Sequence, residues 1–433
     1  MRLPVLVVGV GADGRASLPE AVLRRIDVAD ALWGSRRLLA HFAAHPAPKT
    51  LLQTPLGEQI EQLRARGDGQ VVVLASGDPG FFGIAGTLLR HLSPAEVEIV
   101  PHVTSLQWAF ARAGLDWNEA IFTSAHARPL AEVVGWARRA HKLGILTDTQ
   151  HTPAMIARTL LAAGIKDCQA IVAENLGLPE ERLVDSRLER VALMADCAPL
   201  AVLLLVRPED WRPQPALSLP NDAAYAHRRG LITKAEVRVL SLAMLTLAET
   251  DTAWDIGAGS GAMSIDMAGL AWRGHIWAVE ADPENVGYLH TNIERFGALN
   301  VTVVAGRAPG ALEELPPPHA VFVGGSGGEL GAILDHVNRA AIPGCRVVLN
   351  LATLEHLAEA RQRMRELGWS PTVSQVNIAR AVPLPQGDQH RDAGPRRPEA
   401  CGLTRLAPLN PVFIVCGSVP APTHAGIGTG ITP

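Results

Sequence analysis

Asp255-Ile256-Gly257-Ala258-Gly259-Ser260-Gly261 joins the apolar run Ala253–Ile256 to the helix-like segment Met263–Leu270. Glycines let a chain turn tightly and let its backbone approach a ligand closely. A helix opening behind such a turn offers free N–H groups and a positive dipole end to a carboxylate or phosphate. The next apolar run, His275–Ala281, carries Glu280 near its end. A carboxylate there can accept hydrogen bonds from both hydroxyls of a ribose, as in nucleotide-binding α/β folds. Asp255, Gly257, Gly259, Gly261 and Glu280 are therefore candidate ligand-binding residues.

Outward from this loop, strand-like and helix-like segments alternate. Val301–Val304, Ala320–Val323 and Arg346–Leu351 read as strands, and Pro283–Phe296, Glu329–Ala341 and Thr353–Leu367 as helices. Thr233–Leu247 reads as a capped helix, because Thr233 is followed three residues later by Glu236, as in a capping box. Thr372–Ala379 and Val412–Cys416 are expected to pair antiparallel, with Pro385–Ala400 as a mobile insertion between them. Pro420–Pro433 reads as a disordered tail. Upstream, Arg207–Asp222 contains Pro208, Pro213, Pro215 and Pro220 and reads as a linker.

The first half shows the same alternation. Val5–Val10, Val71–Ala75, Val97–Val100, Ala120–Phe122, Leu143–Thr147, Ala170–Ala173 and Leu200–Val206 read as strands, and Leu18–Leu32 as a helix. The pattern predicts an α/β fold with a mostly parallel sheet, or two small ones. Gly9-Val10-Gly11, Ser76-Gly77-Asp78-Pro79-Gly80 and Glu174-Asn175-Leu176-Gly177 follow strands. Such turns either punctuate the chain or line the crevice at the carboxyl ends of the strands.

Hydrophobic residues make up 48% of the 433 and charged residues 19%, which supplies a large core and argues against bulk disorder. The net charge of -4 argues against a nucleic-acid binder working by bulk charge. The longest apolar run falls far short of the roughly 18–20 residues of a membrane helix. The start, Met1–Val10, reads as a first strand and not a signal peptide. Cys168, Cys197, Cys345, Cys401 and Cys416 are scattered, which fits a reducing, cytoplasmic setting without a disulfide framework or zinc site. His41 and His45 lie four apart, but no third metal ligand accompanies them. Cys345 reads as a small buried residue; His126, near a predicted strand end, reads as a hydrogen-bonded surface histidine, with lining a cleft as the alternative.

The G-x-G-x-G spacing after Asp255 must be weighed against a dinucleotide site. It resembles the S-adenosylmethionine motif of Rossmann-like methyltransferases. Residues 1–207 resemble the tetrapyrrole methylase family in Val8-Gly9-Val10-Gly11, Ala29-Asp30-Ala31, Gly34–Leu39, Ser76–Phe82, Pro101–Ala111 and Glu174–Gly177. Residues 231–417 resemble its corrin-pathway partner methyltransferases in Leu231–Arg238, Asp255–Gly261, Val321–Gly328 and Leu406–Val415. In this order, the whole chain resembles the family of decarboxylating precorrin-6Y C5,15-methyltransferases.

The resemblance implies a two-lobed tetrapyrrole methylase domain over 1–207, a linker over 208–224, a Rossmann-like methyltransferase over 225–418 and a tail over 419–433. It implies one S-adenosylmethionine site per domain, the first including Gly9, Gly11, Ser76, Gly77 and Asp78. It implies a small-molecule tetrapyrrole substrate, no nucleic-acid or membrane partner, and a homo-oligomer. The reaction would be methylation of C5 by the first domain, and of C15, with loss of the C12 acetate carboxyl, by the second. A polycarboxylate substrate calls for Arg and Lys; Arg36, Arg37, Lys234, Arg380 and Arg405 are candidates, against the reading that they are solvated surface charges. Asn350 stands where it would face a pocket mouth or cap a helix. Two positions depart from the family pattern: Ala12 replaces the usual proline, and Arg307 stands where an acidic residue would accept a bond from an adenine amino group. Related domains methylate RNA or protein, and a binding scaffold with one inactive half is a further alternative.

Overall fold

The computed structural model describes residues 3–53, 55–126, 128–213, 221–228, 232–383 and 404–420. The chain forms two compact units, 1–213 and 214–433. The expected insertion at 385–400 lies outside the described residues, as does the expected tail beyond Pro420.

The first unit holds two five-stranded sheets. Strands β1 (Val5–Val10), β2 (Ala31–Gly34), β3 (Lys49–Leu51), β4 (Val71–Ser76) and β5 (Val97–Val100) pair in the order β3-β2-β4-β1-β5, all parallel. The run Val5–Val10 is central and buried along its whole length, as an unbroken apolar strand covered on both faces should be. The second sheet contains β6 (Ile121–Ser124), β7 (Lys142–Leu146), β8 (Gln169–Glu174), β9 (Arg182–Arg187) and β10 (Ala201–Val206). Its order is β6-β7-β10-β8-β9. Only the β6–β7 pairing is parallel; β10 is antiparallel to both neighbours, and β9 to β8. This corrects the expectation of mostly parallel pairing for this lobe.

Two further differences have local causes. Leu18–Leu32 is not one helix: the helix is Glu20–Asp27, entered through Pro19, and Ala31 and Leu32 already belong to β2. Strand β9 has no apolar run to announce it, because it is an exposed edge strand held by β8 alone.

The second unit is a seven-stranded sheet. It contains β11 (Thr252–Ile256), β12 (His275–Glu280), β13 (Val301–Ala305), β14 (Ala320–Val323), β15 (Arg346–Leu351), β16 (Thr372–Val376) and, after the hairpin of β17 (Ala379–Pro383) and β18 (Thr404–Pro408), β19 (Val412–Ser418). The order is β13-β12-β11-β14-β15-β19-β16. Five strands are parallel, and β19 runs antiparallel between β15 and β16. The strand order reverses between β11 and β14, so their carboxyl ends open the crevice where such sheets bind ligands.

Asp222, at the end of the expected linker, is built into this unit. It is buried, caps the helix Ala235–Leu245 by accepting from Ala235 N at 3.0 Å, and pairs with the fully buried Arg238 at 2.9 Å. Arg238 also reaches Asp266 at 2.7 Å. Stripping one partner from such a buried pair typically costs about 3–5 kcal/mol. The expected capping box does not form: Lys234 is the cap residue without a side-chain bond, the Thr233 carbonyl accepts from Arg238, and Glu236 turns to Arg380.

Candidate active sites

In the second unit, the Asp255–Gly261 loop leaves β11 at the switch point and enters the helix Ala262–Leu270. Gly257 has φ +70°, and a Cβ there would overlap the backbone of Gly325 in the loop after β14. Only glycine satisfies both conditions. Gly261 is the left-handed cap of the following helix, packed against Leu289. Glu280 orders the loop from the end of β12: Oε2 accepts from Gly259 N at 2.7 Å, and Oε1 from Ala281 N at 2.9 Å and Asp282 N at 2.8 Å. Each carboxylate oxygen has two lone pairs, so Oε2 keeps one free. Neither Glu280 nor Gly261 is among the residues that line the cavity beside this loop.

Asp255, Gly257 and Gly259 line a cavity of about 610 Å³ together with Lys234, Phe322 and Asn350. Asp255 is fully buried; its Oδ2 accepts from the Ser264 hydroxyl and its Oδ1 has no partner. Burial, opposed by the Ser264 bond and reinforced by the Glu280 charge, pushes the Asp255 carboxyl up to about 7. Asn350, on β15, does not cap a helix: Thr353 caps Leu354–Glu366. The Asn350 Oδ1 lies 2.9 Å from the Ser241 hydroxyl, while its Nδ2 is buried without a partner. Two buried polar atoms without partners therefore belong to residues on the wall of one cavity, a costly arrangement unless a ligand answers them.

The other three residues singled out near this site lie elsewhere; Arg405 is exposed on β18 and absent from the cavity wall. Arg380 is absent from the cavity wall; its guanidinium binds Glu236 at 2.8 Å and Asp222 at 3.0 Å, and it holds the Glu236 carboxyl down at about 2. Arg307 donates to Gly327 O at 3.1 Å and likewise does not line the cavity.

In the first unit, a cleft of about 780 Å³ opens between the two sheets. Gly11, Ser76, Gly77 and Asp78 line it from the first sheet. Gly9 lies beneath this surface, where a Cβ would strike Gly77 O and His102. Arg37 lines the cleft and donates to Ser76 Oγ at 2.8 Å; burial lowers its pKa. Arg36, one residue earlier, is exposed and outside it.

His102, Thr104 and Trp108, from the segment Pro101–Ala111, and Arg128 also line the cleft. Arg128 lies over the Phe82 ring, 5.3 Å from its centroid. His126 is largely exposed, as a surface histidine should be, and also lines the cleft, with its Nδ1 3.4 Å from Asp148. No local pattern announced Arg128, because the lobe that carries it folds over the first sheet from far along the chain. Among the other singled-out residues, the buried His45 ring contacts Ile26 O at 2.9 Å, and burial pushes the Cys345 thiol up to about 12, which makes it inert.

A domain family described as tetrapyrrole (corrin/porphyrin) methylases matches residues 4–192, and one described as precorrin methyltransferase domain matches 223–396. A precorrin-6Y C(5,15)-methyltransferase (decarboxylating) of Sinorhizobium sp is 33% identical over 382 residues, covering 87% of this chain and 91% of its own length. The chain belongs to the precorrin-6Y C5,15-methyltransferase family. Shorter relatives divide the same ground. A cobalt-precorrin-7 C(5)-methyltransferase of Salmonella typhimurium is 38% identical over 179 residues, 41% of this chain and 87% of its own. A probable cobalt-precorrin-6B C(15)-methyltransferase (decarboxylating) of Methanothermobacter thermautotrophicus is 35% identical over 156 residues, 36% of this chain and 80% of its own. Membership in the precorrin-6Y C5,15-methyltransferase family makes this a methyltransferase of the corrin pathway with S-adenosylmethionine-binding folds. Among the described residues, no helix is long and apolar enough to cross a membrane.

Proposed function

We propose that the chain methylates a corrin precursor at C5 in its first unit, and methylates C15 and removes the C12 acetate carboxyl in its second, with one S-adenosylmethionine site in each. The observation that carries this reading is the coincidence of two family matches with two separate cavities, each bordered by a glycine turn at the carboxyl ends of parallel strands.

The second site fits the cofactor. The Asp255 Oδ1 lacks a partner, and the Cβ position of Gly259 faces open space. The loop would hold the methionine part and Glu280 a ribose hydroxyl. In the first unit, Gly11 and Ser76–Asp78 would do the corresponding work. S-adenosylmethionine, when bound, supplies an electrophilic sulfonium methyl. A meso carbon of a reduced tetrapyrrole is enamine-like and brings its own nucleophilicity. The residues therefore contribute orientation and exclusion of water, and no nucleophilic triad is required. Arg37 and Lys234 would meet substrate carboxylates.

The test is incubation of the purified chain with S-adenosylmethionine and a precorrin-6Y-type substrate, read by mass spectrometry. The expected product has gained two methyls and lost one CO2. A substrate of unchanged mass would overturn the reading.

A further inference from the structure

Loss of CO2 from an acetate leaves an electron pair on carbon, and that carbon must receive a proton. We propose that Lys234 is the acid that delivers it, an inference that rests on the decarboxylating role proposed for the second unit. Among the described residues lining the cavity, Lys234 is the sole cation. No hydrogen bond or ion pair to another described residue occupies its ammonium. The other groups there with exchangeable protons are hydroxyls, amides and Asp255. Hydroxyls and amides are weak acids. Asp255 belongs to the glycine loop, tied to Ser264 on the cofactor side.

The backbone around Lys234 is clamped. Its own carbonyl accepts from Arg238 N at 2.9 Å, the preceding carbonyl from the Arg238 guanidinium at 2.6 Å, and the following N–H donates to Asp222 at 3.0 Å. The buried Arg238 joins these contacts to Asp266. An acid on a flexible stem is useful when its base is fixed against the reacting carbon. Lys234 stands at the cap of the helix Ala235–Leu245 and lines the same cavity as the loop that begins at Asp255.

The step balances without a further reagent. The bond between the acetate methylene and its carboxylate breaks, CO2 departs, and the electron pair enters the conjugated ring. The pair then returns to form a C–H bond with a proton from Nζ. The acetate becomes a methyl group, Lys234 is left as the neutral amine, and water reprotonates it.

Lys234→Arg and Lys234→Met in the full chain separate this role from mere charge. Arginine keeps the cation but holds its protons too tightly to act as the acid. General-acid assistance is worth about 100- to 10,000-fold. Lys234→Arg should therefore keep KM within about threefold while decarboxylation slows at least about 100-fold. Lys234→Met should lose rate and also raise KM. Cofactor titration and the C5 methyl produced by the first unit report that each variant is folded. Decarboxylation by Lys234→Arg at the wild-type rate overturns the proposal, leaving Lys234 a charge anchor. Failure of the wild-type chain to decarboxylate at all would instead overturn the functional reading beneath it.

Discussion

The two cavities differ most in how many charged groups they gather. The cleft of the first unit brings Arg37, His102, His126 and Arg128 to one space, together with Asp13 and Asp78. The cavity of the second unit has, among its described wall residues, Lys234 as its cation and Asp255 as its carboxyl. Fixed cations serve a ligand whose carboxylates survive the reaction. They are a hindrance where a carboxylate must become neutral CO2, because pairing stabilises the anion that has to disappear. A cleft with charged side chains on several sides suits simple methyl transfer to a polyanion, and a sparsely charged cavity suits methyl transfer coupled to decarboxylation.

The harshest break of the comparison is Gly257→Val. It adds a side chain at φ +70° against the Gly325 backbone. Strain and overlap together of about 3 kcal/mol predict cofactor binding in the second unit weakened at least about 100-fold. Calorimetry should then find one cofactor per chain where the parent binds two. Loss of both would mean that the sites are not independent.

Arg37→Met sharpens the other side. Removing a half-buried cation from the cleft should raise the substrate KM of the C5 step about tenfold, the scale of one charge-assisted hydrogen bond. The exposed neighbour Arg36→Met should change it less than about twofold. Steady-state kinetics scored by C5 methylation decides this, and equal effects from the two would remove Arg37 from the site.

A pH-dependent effect in the second cavity concerns Asp255. Its folded pKa of about 7 lies above the unfolded value of about 3.9. Its contribution to stability is therefore complete below about pH 4, declines as the unfolded chain ionises, and levels off once pH passes the folded value. Asp255→Asn removes this decline. Relative to the parent, the variant should melt higher at pH 8 than at pH 5. An unchanged difference between the two pH values would contradict the burial argument.

What the sequence made legible follows from locality. The Asp255–Gly261 turn and Glu280 are joined by one βαβ unit, so their spacing alone brought them together. Lys234 lies in a contiguous matching segment and lines the cavity as expected. Arg380, outside the matching segments, was a candidate by charge alone; its partners Glu236 and Asp222 come from the distant start of the unit, where Asp222 reads as linker. Asn350 was ambiguous because strand end and helix cap share one residue type; only the position of Thr353 resolves it. The antiparallel second lobe was hidden for a similar reason: apolar runs mark strands without giving their direction, and the polar edge strand β9 has no such run.

The division of labour between the two cavities is tested most directly with S-adenosylmethionine carrying a 13C methyl, comparing the parent chain with Gly257→Val and reading the product by carbon NMR. The account predicts labelled methyls at C5 and C15 from the parent, and at C5 alone from the variant. Label at C15 from the variant, or at neither carbon, would contradict it.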